Sequence, residues 1–497
     1  MNRPGSIFKQ SILSLILLIA NLPVAGSDYP KQEIRAVWLT TIFGLDWPRR
    51  TVSNKTEEIR QKQELCDILD SLRDAHFNTV FVQTRLRGDV IYDSKIEPVS
   101  KVFTGYYGRL PGYDPLQYII DECHKRGMEC HAFFVTFPVG SARVVAEQGA
   151  SSVVNRRPEL CLQHRNEWYL DPGLPETADY VLSLVKEVVQ NYDIDGVQFD
   201  YIRYPEAANS FPDQRSYAKY GNGQQIADWR RENINRFIGR IHDWVKQEKP
   251  WVQVSSSPLG KYRRLSQYPN IGWTAYDDVF QDPKAWLQAG KQDMIVPMMY
   301  YRQNDFYPFV NNWMEQTTRR SRVVGLGAYR LSASEGNWNL SEIKDQMDYA
   351  RKQGVAGLAF FRTQFVIENE KGLYHELKYN FFKYPAQLPP LVWMNDAVPD
   401  APREIVVKRD NNYLKLTWDA PSNEDYVYTV YYAPSNAIDT DKAQSILATG
   451  IRGTEVYLPV NINSEQEYSF CVTASNRYRI ESQPSRGTYY YLSKYEK

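Results

Sequence analysis

From Glu33 to about Phe382, short apolar, strand-like runs alternate with longer segments whose apolar residues recur at three- and four-residue intervals. Eight short runs stand out: Ile34–Thr40, Thr79–Arg85, Cys130–Thr136, Gly196–Asp200, Val252–Ser257, Met294–Tyr301, Val323–Tyr329 and Gly357–Phe361. Between the first two, Leu65, Leu69 and Leu72 form a single apolar stripe, the periodicity of an amphipathic helix. The next helical segment is marked at both ends, by Asp114 as N-cap, Pro115 in the first turn and Gly127 just past the end. Helices are also predicted over Glu176–Asn191, Gln224–Gln247, Asp282–Ala289, Phe306–Arg319, Ser341–Gln353 and Gly372–Phe382. Eight βα units in this order predict an α/β fold, a (β/α)8 TIM barrel over residues 31–383, enlarged by long loops after the third and fourth strands.

The pattern changes on both sides of that domain. Residues 384–402 are rich in proline and read as a linker. Residues 403–492 hold only short strands, among them Leu414–Trp418, Val427–Tyr432, Glu455–Leu458 and Tyr468–Ala474, and resemble a fibronectin type III sandwich. At the other end, Arg3 and Lys9 precede an apolar run from Ile12 to Ala20, and small residues from Val24 to Ser27 follow. Residues 1–27 therefore read as a secretory signal peptide, too short for a membrane span. No Cys lies near the cleavage point, so the expectation is an exported, periplasmic or extracellular protein without a lipid anchor or membrane span.

Composition narrows the chemistry. Lys+Arg and Asp+Glu are both 59, so no net charge draws the chain to nucleic acid. Aromatic residues make up 14%, which fits sugar stacking as well as core packing. The five cysteines, Cys66, Cys123, Cys130, Cys161 and Cys471, show no CxxC pair and read as buried small hydrophobes, Cys123 and Cys130 being the one candidate bridge. There is no GxSxG, HExxH or GxxxxGK[ST] motif, and His131 reads as a barrel residue. No cofactor and no metal is expected.

In such a barrel the chemistry sits at the C-terminal ends of the strands. On the fourth strand, alternation puts Val197 and Phe199 towards the helices and Gln198 and Asp200 inside, with Asp200 at the rim. Arg85, Arg203, Arg302, Arg330 and Arg362 lie at or just past other strand ends, more guanidinium groups than local acids such as Asp46, Asp89 and Glu206 require. Aromatics share the rim: Trp38, Trp47, Tyr201, Tyr204, Tyr300 and Tyr301. Glycoside cleavage needs two carboxyl groups. Asp200 is the first, as nucleophile or electrostatic carboxylate. Asp282 leads as acid/base partner although Asp-Pro is also an ordinary helix start, with Asp277, Asp278, Glu206 and Glu335 as rivals. Trp38, Asp46, Arg85, Asp89, Gln198, Arg203, Tyr300 and Arg302 are the candidate substrate-binding residues.

The runs Glu33–Thr41, Leu45–Pro48, Arg85–Tyr92, Gly112–Leu116, Leu170–Gly173, Asp193–Asp200, Asp228–Asn235 and Ser257–Gly260, with Asp282 before Trp286, resemble the family-10-like glycosyl hydrolases of bacterial envelopes over residues 31–380. The resemblance implies a barrel glycosidase acting on a polysaccharide. Some members resemble hydrolases of denuded peptidoglycan, whose glycan strands expose the lactyl carboxylate of N-acetylmuramic acid. The family often carries two consecutive acids at the end of the fourth strand, and here Tyr201 takes the second place. Two other readings stay open: a hydrolase of a dietary or host polysaccharide, and a non-catalytic glycan-binding barrel.

Overall fold

A computed structural model of the chain describes residues 29–492 except 269–271, 316–317, 435–436 and 461–465. The signal-peptide reading of residues 1–27 lies outside the described residues. Contacts divide the chain into a barrel unit, Gln32–Lys383 with Val392–Met394, and a C-terminal unit holding Tyr384–Leu391 and the residues from Asn395 onward.

The barrel unit is a closed ring of eight parallel strands: Ile34–Leu39, Thr79–Arg85, Glu129–Val135, Gly196–Asp200, Gln253–Ser256, Met294–Ile295, Ser321–Leu326 and Gly357–Phe360. The first strand pairs with both the second and the eighth, which closes the ring. The sixth is much shorter than its apolar run predicts, because Pro297 has no N–H to give the ladder. Pairing resumes beyond it, where Met298 N donates to Pro258 O at 3.0 Å and Met299 N to Gly325 O at 2.9 Å. Gly196 has a packing reason: a Cβ there would lie 2.3 Å from His131 Nδ1, in the barrel interior.

The strand starts are stapled by one recurring device. Asn78, Asp195 and Asp293 stand just before or at the entry of the second, fourth and sixth strands. Each accepts the backbone N–H of a residue on the preceding strand: Arg35 at 2.8 Å, Cys130 at 2.8 Å and Val254 at 2.9 Å. Burial pushes the Asp293 carboxyl up, but Lys246 at 2.6 Å and the Val254 N–H more than offset this and hold it below its ordinary value. Trp393, from the segment expected as a linker, donates its Nε1–H to the same carboxylate at 3.0 Å and covers Arg320.

The long loop after the third strand contains a small antiparallel sheet in the order Pro138–Ser141, Glu167–Leu170, Cys161–His164. The loop after the fourth holds a short helix, Gln214–Tyr220, before the long helix Ile226–Glu248. The C-terminal unit has a three-stranded and a four-stranded antiparallel sheet. Along Tyr413–Asp419 alternate residues Leu414, Leu416 and Trp418 are buried, and they pack with Val430, Phe470 and Val472. In this unit Glu481 accepts from Gln387 Nε2, Tyr431 Oη and Thr473 Oγ1 at 2.6–2.7 Å, so the proline-rich segment is partly woven into it. All five cysteines are free thiols, Cys123 and Cys130 included. Among the described residues no helix is long and apolar enough to cross a membrane.

Trp393→Ala removes one donor to a buried carboxylate. It is expected to lower stability by about 1–3 kcal/mol, and a barrel fragment ending after Pro389 should melt below one ending after Asn395. Equal melting temperatures for the two fragments would show that Trp393 contributes nothing.

Candidate active site

The fourth strand delivers the central group. Val197 and Phe199 turn outward, where Phe199 packs on Phe134 and on Phe237 of the long helix, with ring centroids 5.7 and 6.0 Å away. Gln198 and Asp200 turn inward as the alternation predicts. The Asp200 side chain is 13% exposed and its Oδ1 accepts the N–H of Tyr201 at 2.6 Å. Burial pushes its carboxyl above the ordinary aspartate value. Arg203 and the Tyr201 N–H oppose that shift, and the negative charge of Glu206 adds to it.

Arg203 joins the two acids. Its Nη1 lies 3.8 Å from Asp200 and its Nη2 donates to Glu206 at 3.2 Å. Its guanidinium lies over the Tyr201 ring at 4.5 Å, and its buried Nε and Nη1 have no hydrogen-bond partner. Tyr300 is the third neighbour: burial, then the charge of Asp200, holds its phenol well above the ordinary tyrosine value. Its ring stacks on Phe361 at 5.7 Å, and Tyr329 meets both edge-on.

Below this layer Trp38 is nearly buried and donates its indole N–H to Gln198 Oε1 at 2.8 Å. Because the indole can only donate, the amide is fixed with Oε1 towards Trp38, which leaves the buried Nε2 without a partner. Trp38 packs on Phe81 and Phe361 and so supports the aromatic layer above.

The remaining candidates have partners of their own, and none of them is hydrogen-bonded to the Asp200 side chain. Arg85 is completely buried. Its Nε and Nη2 hold Glu97 at 2.8 and 2.7 Å, and its Nη1 donates to the carbonyls of Val135 and Thr136. Asp46 accepts from Thr40, from Gln364 N at 2.8 Å and from Arg362 Nη1 at 2.8 Å, although burial still raises its carboxyl. Asp89 is buried beside Ser100, and burial with some help from Glu97 pushes it up to about 6. Arg302 is half exposed, pairs with Glu342 at 3.1 Å and covers Trp338. Asp282 caps the helix Pro283–Gln288 through Ala285 N and also accepts from Tyr262 Oη at 2.9 Å. None of the side chains bonded to Asp282 is bonded to Asp200 or Arg203.

Glu206, a rival for the second carboxyl in the sequence, shares Arg203 with Asp200, and Tyr329 and Phe361, which the sequence does not single out, join the aromatic layer. Their positions just past the seventh and eighth strands were the available signal. Among the described residues no cluster of three or more His, Cys, Asp or Glu side chains is placed to hold a metal ion.

A closed parallel barrel with a buried carboxylate, a guanidinium and stacked aromatics at its C-terminal mouth defines the class of barrel hydrolases that act on sugars. The chain belongs to the glycosyl hydrolase-like 10 family, whose model matches residues 33–350, and it is a glycoside hydrolase. It is 30% identical over 506 residues to glycosyl hydrolase YngK of Bacillus subtilis (strain 168), covering 96% of this chain and 98% of that protein. Glycosyl hydrolase DigH of Escherichia coli (strain K12) is 34% identical over 377 residues, which cover 69% of this chain and 86% of that one. Among solved structures, the glycoside hydrolase domain of PgaB (BpsB) from Bordetella bronchiseptica aligns with a TM-score of 0.46 and 13% identity over 70% of this chain and 98% of that domain.

Arg85 tests whether a rim position in the sequence means a substrate contact. Arg85→Leu leaves Glu97 buried without its partner, so a loss of about 3–5 kcal/mol in stability is expected, seen as a large drop in denaturation midpoint. A variant that melts normally but has altered substrate preference would contradict the geometry.

Proposed function

We propose that this hydrolase cleaves O-glycosidic bonds in N-acetylated, anionic glycan strands of the denuded-peptidoglycan type, outside the cytoplasm, with Asp200 at the reacting centre. The observation that carries this reading is the pair of buried, unpartnered N–H groups on Arg203 beside Asp200. Buried donors call for acceptors; the two groups lie on different edges of the guanidinium, so a lactyl carboxylate oxygen satisfies one and a neighbouring sugar oxygen the other.

The role of Asp200 follows from its desolvation. An ionised carboxylate that the resting site solvates poorly interacts strongly with positive charge developing at the anomeric carbon, so the interaction favours the transition state over the ground state. The second carboxyl in this reading is Glu206, not Asp282: Glu206 shares Arg203 with Asp200 and is about one-third exposed, with access to water. It serves as acid/base, while Tyr300 and the aromatic layer hold the ring of the sugar. The relatives' names, both glycosyl hydrolases, favour this reading over a binding-only barrel. The fibronectin type III likeness of the C-terminal unit rests on its two antiparallel sheets and buried Trp418, and it suits a module that positions the barrel on a polymer.

Asp200→Asn keeps the shape and removes the charge. A fall in kcat of at least about a hundredfold is expected. The folded-state pKa of Asp200 is raised, so ionising it costs stability as pH rises from the unfolded value to the folded one. The Asn variant should therefore melt at or above wild type at neutral pH and lose that advantage in acid. Near-normal turnover on denuded strands would remove Asp200 from the reacting centre.

Substrate charge separates the Arg203 reading from a neutral groove. Denuded strands are expected to be cleaved faster than the same strands bearing stem peptides, which turn the lactyl carboxylate into an amide, and faster than neutral chitooligosaccharides. Arg203→Gln should shrink the difference. Equal rates on all three substrates, measured by mass spectrometry of the products, would leave Arg203 as a partner of Asp200 and Glu206 alone.

A further inference from the structure

We propose that Phe43, Tyr201 and Trp273 are sugar-stacking platforms of an open groove across the barrel mouth, and that the enzyme therefore binds an extended chain and cuts inside it. The proposal rests on the placement of the reacting centre at Asp200.

Phe43 is 76% exposed on a left-handed backbone, with φ 57°. Tyr201 is 41% exposed with φ 48°. A bulky side chain in that conformation is strained, and an exposed aromatic ring regains nothing by burial. Phe43 gains almost nothing from folding, and Tyr201 recovers only what the Arg203 contact on one face supplies. A ligand gives a return: a pyranose presents a flat patch of C–H bonds that an aromatic face covers, and strain of this kind gathers where a surface is built for binding.

Neither ring is on a loose loop. The turn carrying Phe43 is pinned where Thr41 N and Ile42 N both donate to Gln83 Oε1, at 3.0 and 2.9 Å, and closes through Gly44 N to Thr41 O at 2.9 Å. Tyr201 is held by its N–H bond to Asp200 and by Arg203 over one face. Trp273, 50% exposed, precedes Thr274, whose N–H is bonded to Asp278 at 2.7 Å.

Their order around the ring sets the geometry. Phe43 follows the first strand, Tyr201 the fourth and Trp273 the fifth, and the first and fifth strands are on opposite sides of an eight-stranded barrel. Platforms on both sides of Asp200 accommodate sugars on both sides of the bond to be cut. A pocket for chain ends would instead be walled on one side.

The test is calorimetric binding of a disaccharide, a tetrasaccharide and a hexasaccharide, from denuded peptidoglycan and from chitin, to the Asp200→Asn protein, together with product sizes from wild type on long end-labelled strands. Affinity for one series is expected to rise at least about tenfold from disaccharide to hexasaccharide, the scale of one good stacking contact. Adding Phe43→Gly should abolish most of that gain while the melting temperature does not fall, because glycine accepts the left-handed backbone without strain. First products should be internal fragments. Affinity independent of length, a gain that survives Phe43→Gly, release of terminal units only, or no binding in either series would each overturn the groove. Length-dependent binding without any cleavage by wild type would sink the proposed reaction and leave the groove standing. Cleavage without length dependence would do the reverse.

Discussion

Closing a parallel sheet into a barrel fills its interior with side chains and takes any polar group at the strand ends largely out of water. Asp200 is placed under that constraint, and the rest of the mouth answers to it. A carboxylate so poorly hydrated needs a cation within a few ångströms, and Arg203 supplies it at 3.8 Å without a direct hydrogen bond. That separation is too long to neutralise the charge and short enough to keep it tolerable. Arg203 is in turn held by Glu206 and by the Tyr201 ring, and Tyr300 packs in the remaining space. The balance is incomplete, since burial still raises the Asp200 carboxyl.

The opposite end of the barrel solves the same problem differently. Arg351 holds Glu33 through two bonds, at 2.8 and 2.9 Å, while Asp293 takes bonds from Lys246, Val254 and Trp393. There both carboxylates are closely paired, and Asp293 ends below its ordinary value where Asp200 ends above it. Full pairing suits a face whose task is to hold strand ends in register. Partial pairing leaves free energy available to a ligand.

The barrel was legible because its signal is repeated. Each apolar run is short and is followed by a helical segment, and an error at one strand is corrected by its neighbours. The sixth strand shows the limit, since its apolar text runs on to Tyr301 while Pro297 breaks the ladder after Ile295. Within the site, Asp200 and Gln198 could be assigned to the interior because side chains alternate along a strand, a local rule. The arginines could not be sorted, because each stands at a strand end and the sequence does not show what closes over it. Arg85 is sealed under the loop bearing Glu97, and Arg362 is drawn to Asp46 across a sequence separation of 316 residues. Asp282 illustrates another limit. Its local reading, a helix cap, and its functional reading used the same residue, and the structure realises the cap.

Strain was not legible at all. Nothing in the text around Phe43 or Tyr201 announces a left-handed backbone, since the residues that adopt it cheaply are glycine and asparagine, and Gly44 stands next to the position where Phe43 does so. These departures cluster with the incompletely paired Asp200, the unpartnered Arg203 nitrogens and the unpartnered Gln198 amide. Left-handed non-glycine residues stand elsewhere too, His76 before the second strand and Glu404 in the C-terminal unit among them, but at the mouth they coincide with incompletely paired polar groups. A chain under selection for stability alone would place glycine at the left-handed positions and a neutral residue in place of Asp200, each change tending to relieve a cost visible in the structure. That backbone strain, an incompletely paired carboxylate and unpartnered donors coincide at the end of the barrel where glycosidases work, while Glu33 and Asp293 at the other end are closely paired, is the physical reason to read the mouth as a site rather than as an imperfectly packed surface.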